Sequence, residues 1–341
     1  MKKQVSNIFS LFFDASNIIH IEVIHNGLIN STYKVSSNQG DFILQKINQK
    51  VFPKIHSLLN NKLKIIEYLK QKEYPTITYI PNKDGLFYAQ NDGAIWQLST
   101  YIPSMVKERM DSEDTAEKVG AFLANFHKKI LNFPISELEY TLPNFHNTLK
   151  RYDDFLQNVA IASKERLKTA ENEIGNIKRN FNKIKGVATA IQNEVIPLRV
   201  VHNDTKIGNI LFDEKGNCLC IIDFDTIMPG SILHDIGDAL RSGVNTSNED
   251  EKDLTKVNFN IGIYEAFMKG YIREAKVFMT SEEMEMCHLS LPLLLFEQSC
   301  RFLGDYLDND SYYTTLYEHH NLIRAKTQLH LLNQVCTYFK L

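Results

Sequence analysis

The stretch V-H-N-D-T-K-I-G-N-I-L-F-D at 201–213, followed by C-L-C-I-I-D-F-D-T at 218–226, decides the reading of this chain. Apolar runs at 195–201 and 219–222 mark strands on either side of a loop, a short strand and a turn. The loop carries His202, Asp204 and Asn209 in the order H-x-D-x-x-x-x-N, and the second run ends at Asp223. A sugar or alcohol hydroxyl is a poor nucleophile, and a carboxylate within hydrogen-bond reach orients it and accepts its proton. Asp204 is the candidate for that base. Magnesium prefers oxygen ligands and keeps its waters, so one amide oxygen, one carboxylate and nucleotide phosphates suffice to hold it. Asn209 and Asp223 are the candidate metal pair. Asp223 follows apolar residues on a presumed buried strand, where an unpaired carboxylate is costly.

Protein kinases use this spacing for the same three roles, which points to phosphoryl transfer from ATP. Lys206 either places its ammonium on the transferring phosphate or is an exposed loop lysine. His202 completes the catalytic loop, its ring expected to hold the loop's shape through backbone carbonyls. Asp225 shares the side-chain direction of Asp223 on an extended strand and either assists the metal or is solvated. Farther on, H-D-I-G-D-A-L-R at 234–241 places Asp235 and Asp238 to brace the loop, with Arg241 as a partner of either.

The 341 residues suffice for one large or two moderate domains, and 43% hydrophobic with 23% charged residues is ordinary globular composition. A net charge of -3 offers no basic field, which argues against nucleic acid as a partner. Five scattered cysteines complete no zinc set and read as reduced thiols. The apolar stretch at 8–13 is too short for a signal-peptide core, and the run at 289–296 is far short of a membrane span. The expectation is a cytoplasmic protein without membrane contact, a monomer or weak homodimer.

Residues 1–100 are strand-rich. Strands are predicted at 19–24, 32–35 and 41–47, a helix at 54–70, two strands flanking the turn at 82–85, and one more at 94–101 ended by Pro103. From Asp111 the character turns helical, with helices predicted from Ser112 or Asp114, at 149–160, 163–187, 254–278, 281–307 and 319–339. The break falls at 102–104, dividing the chain into a nucleotide-binding part, 1–102, and a catalytic and substrate-binding part, 103–341.

In the first part, 25–32 joins two strands and lies where it would cover phosphates, with Gly27, Asn30 and Thr32 as candidate contacts. Its single glycine matches neither glycine-rich phosphate motif. Lys46 sits on the third strand, where kinases keep the lysine that grips the α- and β-phosphates. Alternation puts Leu44 and Lys46 toward the cleft and Gln45 away, and a one-residue shift exchanges them. Glu67 either pairs with Lys46 or is a surface helix residue. Arg301 and Asp305 stand four apart on one helix face, which fits a salt bridge as well as a pocket.

These residues resemble the aminoglycoside phosphotransferase and choline kinase superfamily. In finer detail H-N-D-T-K-x-x-N-x-L-F-D, I-D-F-D-T-I-M-P-G, D-I-G-D-A-L-R, G-L-I-N-S-T-Y, F-I-L-Q-K-I-N, W-Q-L-S-T-Y-I and R-F-L-G-D-Y-L-D-N-D-S-Y-Y look like the N-acetylhexosamine 1-kinase family. Asn203 stands where aminoglycoside and choline kinases usually have Gly, and Leu28 where the narrower family often has His. The match thins between 131 and 194. The resemblance implies an α+β, protein-kinase-like bilobal fold, with a small antiparallel-sheet N-lobe and a larger, mainly helical C-lobe. It implies ATP- and Mg2+-dependent phosphorylation of the anomeric hydroxyl of N-acetylglucosamine or N-acetylgalactosamine. Tyr101 and Ile102, at the hinge, fall to the nucleotide; Arg301 and Tyr312 join Asp204 in the sugar pocket. The rivals are a choline, homoserine or aminoglycoside kinase on the same fold, and a nucleotide-binding scaffold without catalysis, which should lack part of the Asp204, Asn209 and Asp223 set.

Overall fold

A computed structural model describes residues 2–24 and 29–341. It opens with helix α1 (Lys2–Phe9), strands β1 (Ile18–Ile24), β2 (Ser31–Ser37) and β3 (Gly40–Lys46), helix α2 (Ile55–Gln71), and strands β4 (Tyr79–Ile80), β5 (Ala89–Asn91) and β6 (Ala94–Thr100). Among the described residues these strands form one six-stranded antiparallel sheet, ordered β1-β2-β3-β6-β4, with β5 also paired to β6.

Both faces of this sheet are covered, and that decides which side chains reach the cleft. Val5, Ile8 and Phe9 recur at helical spacing on α1 and pack on Phe42 and Leu44 of β3 and on Trp96 and Leu98 of β6. The apolar stretch at 8–13 is therefore part of a cover for the outer face, with Phe13 and Phe42 ring centroids 5.0 Å apart. Ile47 and Ile95 point to the opposite face, against Leu58 and Leu59 of α2.

The rest of the chain is mainly helical. Strand β7 (Met105–Val106) precedes helices α3 (Glu113–Ile130), α4 (Thr148–Ile161), α5 (Lys164–Thr169) and α6 (Glu171–Gln192). Strands β8 (Arg199–Val201), β9 (Ile210–Phe212), β10 (Cys218–Ile221) and β11 (Met228–Gly230) follow, then helices α7 (Ile232–Gly243), α8 (Ile261–Ala275), α9 (Ser281–Met286), α10 (Ser290–Leu307) and α11 (His320–Phe339). Three long predicted helices differ. The one at 163–187 is two, parted at Ala170. The one at 254–278 starts at Ile261, where the Asn260 side chain accepts from the Ile263 N–H at 3.2 Å and caps it. The one at 281–307 breaks at 287–289, just before Pro292, which fits a first helical turn and not a helix interior. The run at 289–296 is buried, most of it in α10, and among the described residues no helix is long and apolar enough to cross a membrane.

The crossing of α3 and α8 positions the site from below. A Cβ at Gly120 would lie 2.1 Å from the Phe267 carbonyl oxygen, and one at Gly270 2.1 Å from that of Glu117. Only glycine permits this approach, which lets Tyr271 of α8 meet His127 of α3, hydroxyl to Nδ1, at 2.7 Å. Gly120→Ala is expected to lower stability by about 1–3 kcal/mol, read as a fall in Tm. An unchanged Tm would show that the two helices separate without cost.

Candidate active site

Strand β8 pairs with β11, Val201 opposite Met228, and delivers the chain into the loop at 202–209. The loop hangs on Asp235, in the first turn of α7. Its carboxylate accepts the backbone N–H of His202 at 2.8 Å and of Asn203 at 2.7 Å, and Nε2 of His127 lies 2.9 Å away. Burial alone would raise this carboxyl, but His127 and those hydrogen bonds hold it below the usual range, so it is a carboxylate. Asp235 braces the loop as expected. The Asp238 carboxylate makes no hydrogen bond to the loop among the described residues: it accepts from Arg241, which also reaches Glu249.

His202 is fully buried. Nε2 donates to the Ile222 carbonyl at 3.0 Å, and Nδ1 accepts the Asp204 N–H at 3.3 Å. Burial holds its pKa down, so the neutral ring links loop and hairpin. Asn203 has a φ of 64°, in the left-handed region, and its side chain donates to the Thr226 carbonyl at 3.0 Å. Glycine and asparagine are the residues that adopt that backbone most readily.

The Asp204 carboxylate meets Lys206 Nζ at 2.6 Å and Asn209 Nδ2 at 2.9 Å. Burial opposes its ionisation, but the Lys206 ammonium outweighs it and holds the carboxyl below the usual range. Asn209 spends its amide protons on Asp204, and its amide oxygen makes no hydrogen bond among the described residues. The β9–β10 hairpin brings the candidate metal pair together: the Ile222 N–H donates to the Asn209 carbonyl at 2.9 Å, one residue before Asp223. Asp223 is left-handed at φ 66°, and its carboxylate accepts no hydrogen bond among the described residues. Burial, then the Asp225 and Asp204 carboxylates, push it up to about 7. One free amide oxygen beside a carboxylate crowded by like charge is a donor set that fits magnesium.

A second brace holds the loop from the other side. His146 Nδ1 lies 2.8 Å from Glu297 and Nε2 3.1 Å from the Asn203 carbonyl, so both nitrogens donate and the ring is an imidazolium. Burial works against both charges, yet each partner outweighs it, raising His146 and pulling Glu297 down to about 2. One helical turn past Glu297, the Arg301 guanidinium stacks over the Phe145 ring at 4.9 Å and makes no hydrogen bond among the described residues. The alternative salt bridge to Asp305 does not form. Asp305 instead accepts the Tyr312 N–H at 2.7 Å and the Tyr313 N–H at 3.0 Å, fixing the loop that presents the exposed Tyr312 ring.

On the sheet side, Asn30 donates to Asp225 at 2.6 Å and accepts the Asn48 N–H at 2.9 Å. Thr32 pairs with Gln45 across β2 and β3. Gly27 and Leu28 lie outside the described residues. Tyr101 sits under the Lys34 ammonium, 3.8 Å from the ring centroid, and the Ile102 carbonyl accepts from Ser104 at 2.9 Å. The expectation for Lys46 is corrected. It shares the face of Phe42 and Leu44, which α1 covers, and its ammonium lies 5.9 Å over Trp96; Gln45 faces the other way, with Ile47 and the α2 side. Glu67 is exposed, without a salt bridge to Lys46. The buried charged pair in this region is Lys62 of α2 with Asp225, 1% and 4% exposed.

A profile of the APH phosphotransferase enzyme family matches residues 20–271. The chain belongs to that family. Among solved structures, a spectinomycin phosphotransferase in complex with ADP and spectinomycin is 13% identical, with a TM-score of 0.65 over 99% of this chain and 98% of that one. A microcompartment-associated aminopropanol kinase is 13% identical, TM-score 0.66, over 100% and 98%. A choline kinase from Cryptosporidium parvum is 13% identical, TM-score 0.58, over 100% and 96%. At such identities the likeness is one of fold, the protein-kinase-like one. An ethanolamine kinase from Drosophila melanogaster is 20% identical over 175 residues, 51% of this chain; the match spans 33% of that relative's length.

Within this APH-family fold, sequence reasoning missed Lys62, His146 and Glu297. Lys62 left a signal: it falls on the apolar face of α2, in step with Leu58, Ile65 and Leu69. His146 and Glu297 left none, because they are distant in sequence and meet only in the fold.

Proposed function

We propose that this APH-family phosphotransferase is an ATP-dependent small-molecule kinase that phosphorylates the anomeric hydroxyl of N-acetylhexosamines. The observation that carries the kinase reading is the Asp204, Asn209 and Asp223 cluster, with one ionised carboxylate to receive a proton and an amide–carboxylate pair beside it. Asp204 orients the sugar hydroxyl; as its oxygen bonds to the γ-phosphorus and the bond to ADP breaks, the proton passes to Asp204. Asn209 and Asp223 would hold a magnesium ion, whose chemistry here is neutralisation of polyphosphate charge. Lys206, beside Asp204, adds a cation. Residues 1–102 hold the nucleotide, and 103–341 hold metal and acceptor.

The sugar assignment rests on the sequence motifs and on Arg301 and Tyr312. An amino alcohol, as the ethanolamine and aminopropanol kinases' names suggest for those proteins, would bring a second cation toward the free Arg301 guanidinium. A neutral sugar meets no such repulsion, and its hydroxyls suit a guanidinium and an aromatic ring. ADP release with ATP and magnesium over GlcNAc, GalNAc, glucose, galactose, choline, ethanolamine, homoserine and kanamycin tests the reading. Turnover on an N-acetylhexosamine is expected; activity confined to an amino alcohol or aminoglycoside would keep the kinase and replace the acceptor.

Metal binding should depend on pH. The folded Asp223 carboxyl, at about 7, lies above its ordinary 3.8, so without metal its ionisation destabilises the fold as pH rises through that window. Magnesium needs the ionised form. The Tm increment from ATP with magnesium should therefore grow between about pH 6 and about pH 8. A pH-independent increment would remove Asp223 from the metal pair.

A further inference from the structure

If ATP is the donor, its α- and β-phosphates call for a cation, and β3 brings none to the cleft face of the sheet. Lys46 lies behind that sheet over Trp96, and Gln45 stands at the cleft-facing position. Helix α2 supplies what the strand lacks. Lys62 is buried between Asp225 and the Tyr79 ring, its ammonium 5.1 Å from the ring centroid. Tyr79 pairs with Ser99 in register, and Gln97, two residues earlier on β6, pairs with Gln45, so all of these share one face.

Two features say that this ammonium is not there for stability alone. A buried ion pair is a weak stabiliser that apolar side chains of similar volume often replace without loss. An ammonium also has three N–H donors. Asp225 takes one and the Tyr79 hydroxyl is the next polar neighbour, so among the described residues at least one donor lacks a partner. Nearby, both polar atoms of the buried Gln97 carboxamide are without partners among the described residues. Asp225 follows Asp223 by one intervening residue and is tied to Asn30 of the first loop at 2.6 Å. Lys62 therefore stands where first loop, metal carboxylate and sheet face converge.

We propose that Lys62 is the lysine of the nucleotide-phosphate site: helix α2 supplies the cation that other kinases of this fold carry on the third strand, with Asp225 as its fixed counter-ion. The proposal rests on ATP as the donor. Its test is calorimetric titration of wild type and Lys62→Met with ATP plus magnesium and, separately, with adenosine, followed by turnover on the acceptor that wild type uses. Lys62→Met is expected to weaken ATP binding about 10- to 100-fold and to leave adenosine within about twofold, because only ATP presents phosphates. Turnover should fall about 100-fold. A purely structural lysine would weaken ATP and adenosine alike, and that result overturns the proposal, as does unchanged ATP binding and turnover. Should Lys62→Met fail to fold because it strands a buried carboxylate, Lys62→Met with Asp225→Asn, compared with Asp225→Asn alone, reads the same ratio. Wild-type protein that binds no ATP would instead overturn the donor assignment itself, and the proposal with it.

Discussion

Asp204→Asn is expected to lower turnover by about 10²- to 10⁴-fold and to leave ATP affinity within a few-fold of wild type. The substitution keeps shape, and an amide oxygen can still accept from Lys206 and Asn209, which lie 2.6 and 2.9 Å from the carboxylate. What it removes is the basicity that would receive the hydroxyl proton. The proposed base is well placed because Lys206 and Asn209 keep it ionised although it is partly buried, so it would be ready at neutral pH. Initial rates at saturating ATP, with titration of ATP in parallel, separate the two effects. Full turnover by Asp204→Asn would strip the residue of its role.

Asp235→Ala removes the loop's anchor and is expected to cost on the order of 3–5 kcal/mol of stability. Two backbone N–H groups at 2.8 and 2.7 Å and the His127 ring lose their acceptor in a dry interior. The carboxyl's depressed pKa gives this stability a pH dependence: it is present above the ordinary carboxylate range and is lost as pH falls through the lower folded value. Calorimetric Tm measures the cost, and activity well below that Tm should still be reduced, because Asn203 and Asp204 lose their fixed backbone. A Tm close to wild type would mean that His146 and Glu297 alone hold the loop.

The hairpin around Asp204 was legible because its chemistry is local: apolar runs, a loop and two metal-ligand candidates lie within one short stretch. Apart from α1, the main strands and the helix α2 in the first hundred residues also followed from periodicity. The direction of Lys46 did not. In a sheet covered on both faces, apolar residues occur at successive positions, as in Phe42, Ile43 and Leu44, so alternation no longer marks the cleft. The cover is α1 with the stretch at 8–13, which the sequence showed only as too short for a signal-peptide core. The pairs His146–Glu297 and Lys62–Asp225 join residues far apart in the chain, and only the second left a trace, a lysine on an apolar helix face.

The most direct measurement is the phosphorus NMR spectrum of the product formed from ATP, magnesium and N-acetylglucosamine or N-acetylgalactosamine. The account predicts one sugar phosphate whose phosphorus couples to the anomeric proton. A phosphorus coupled to the C6 methylene protons, or no sugar phosphate while an amino alcohol is phosphorylated, would contradict it.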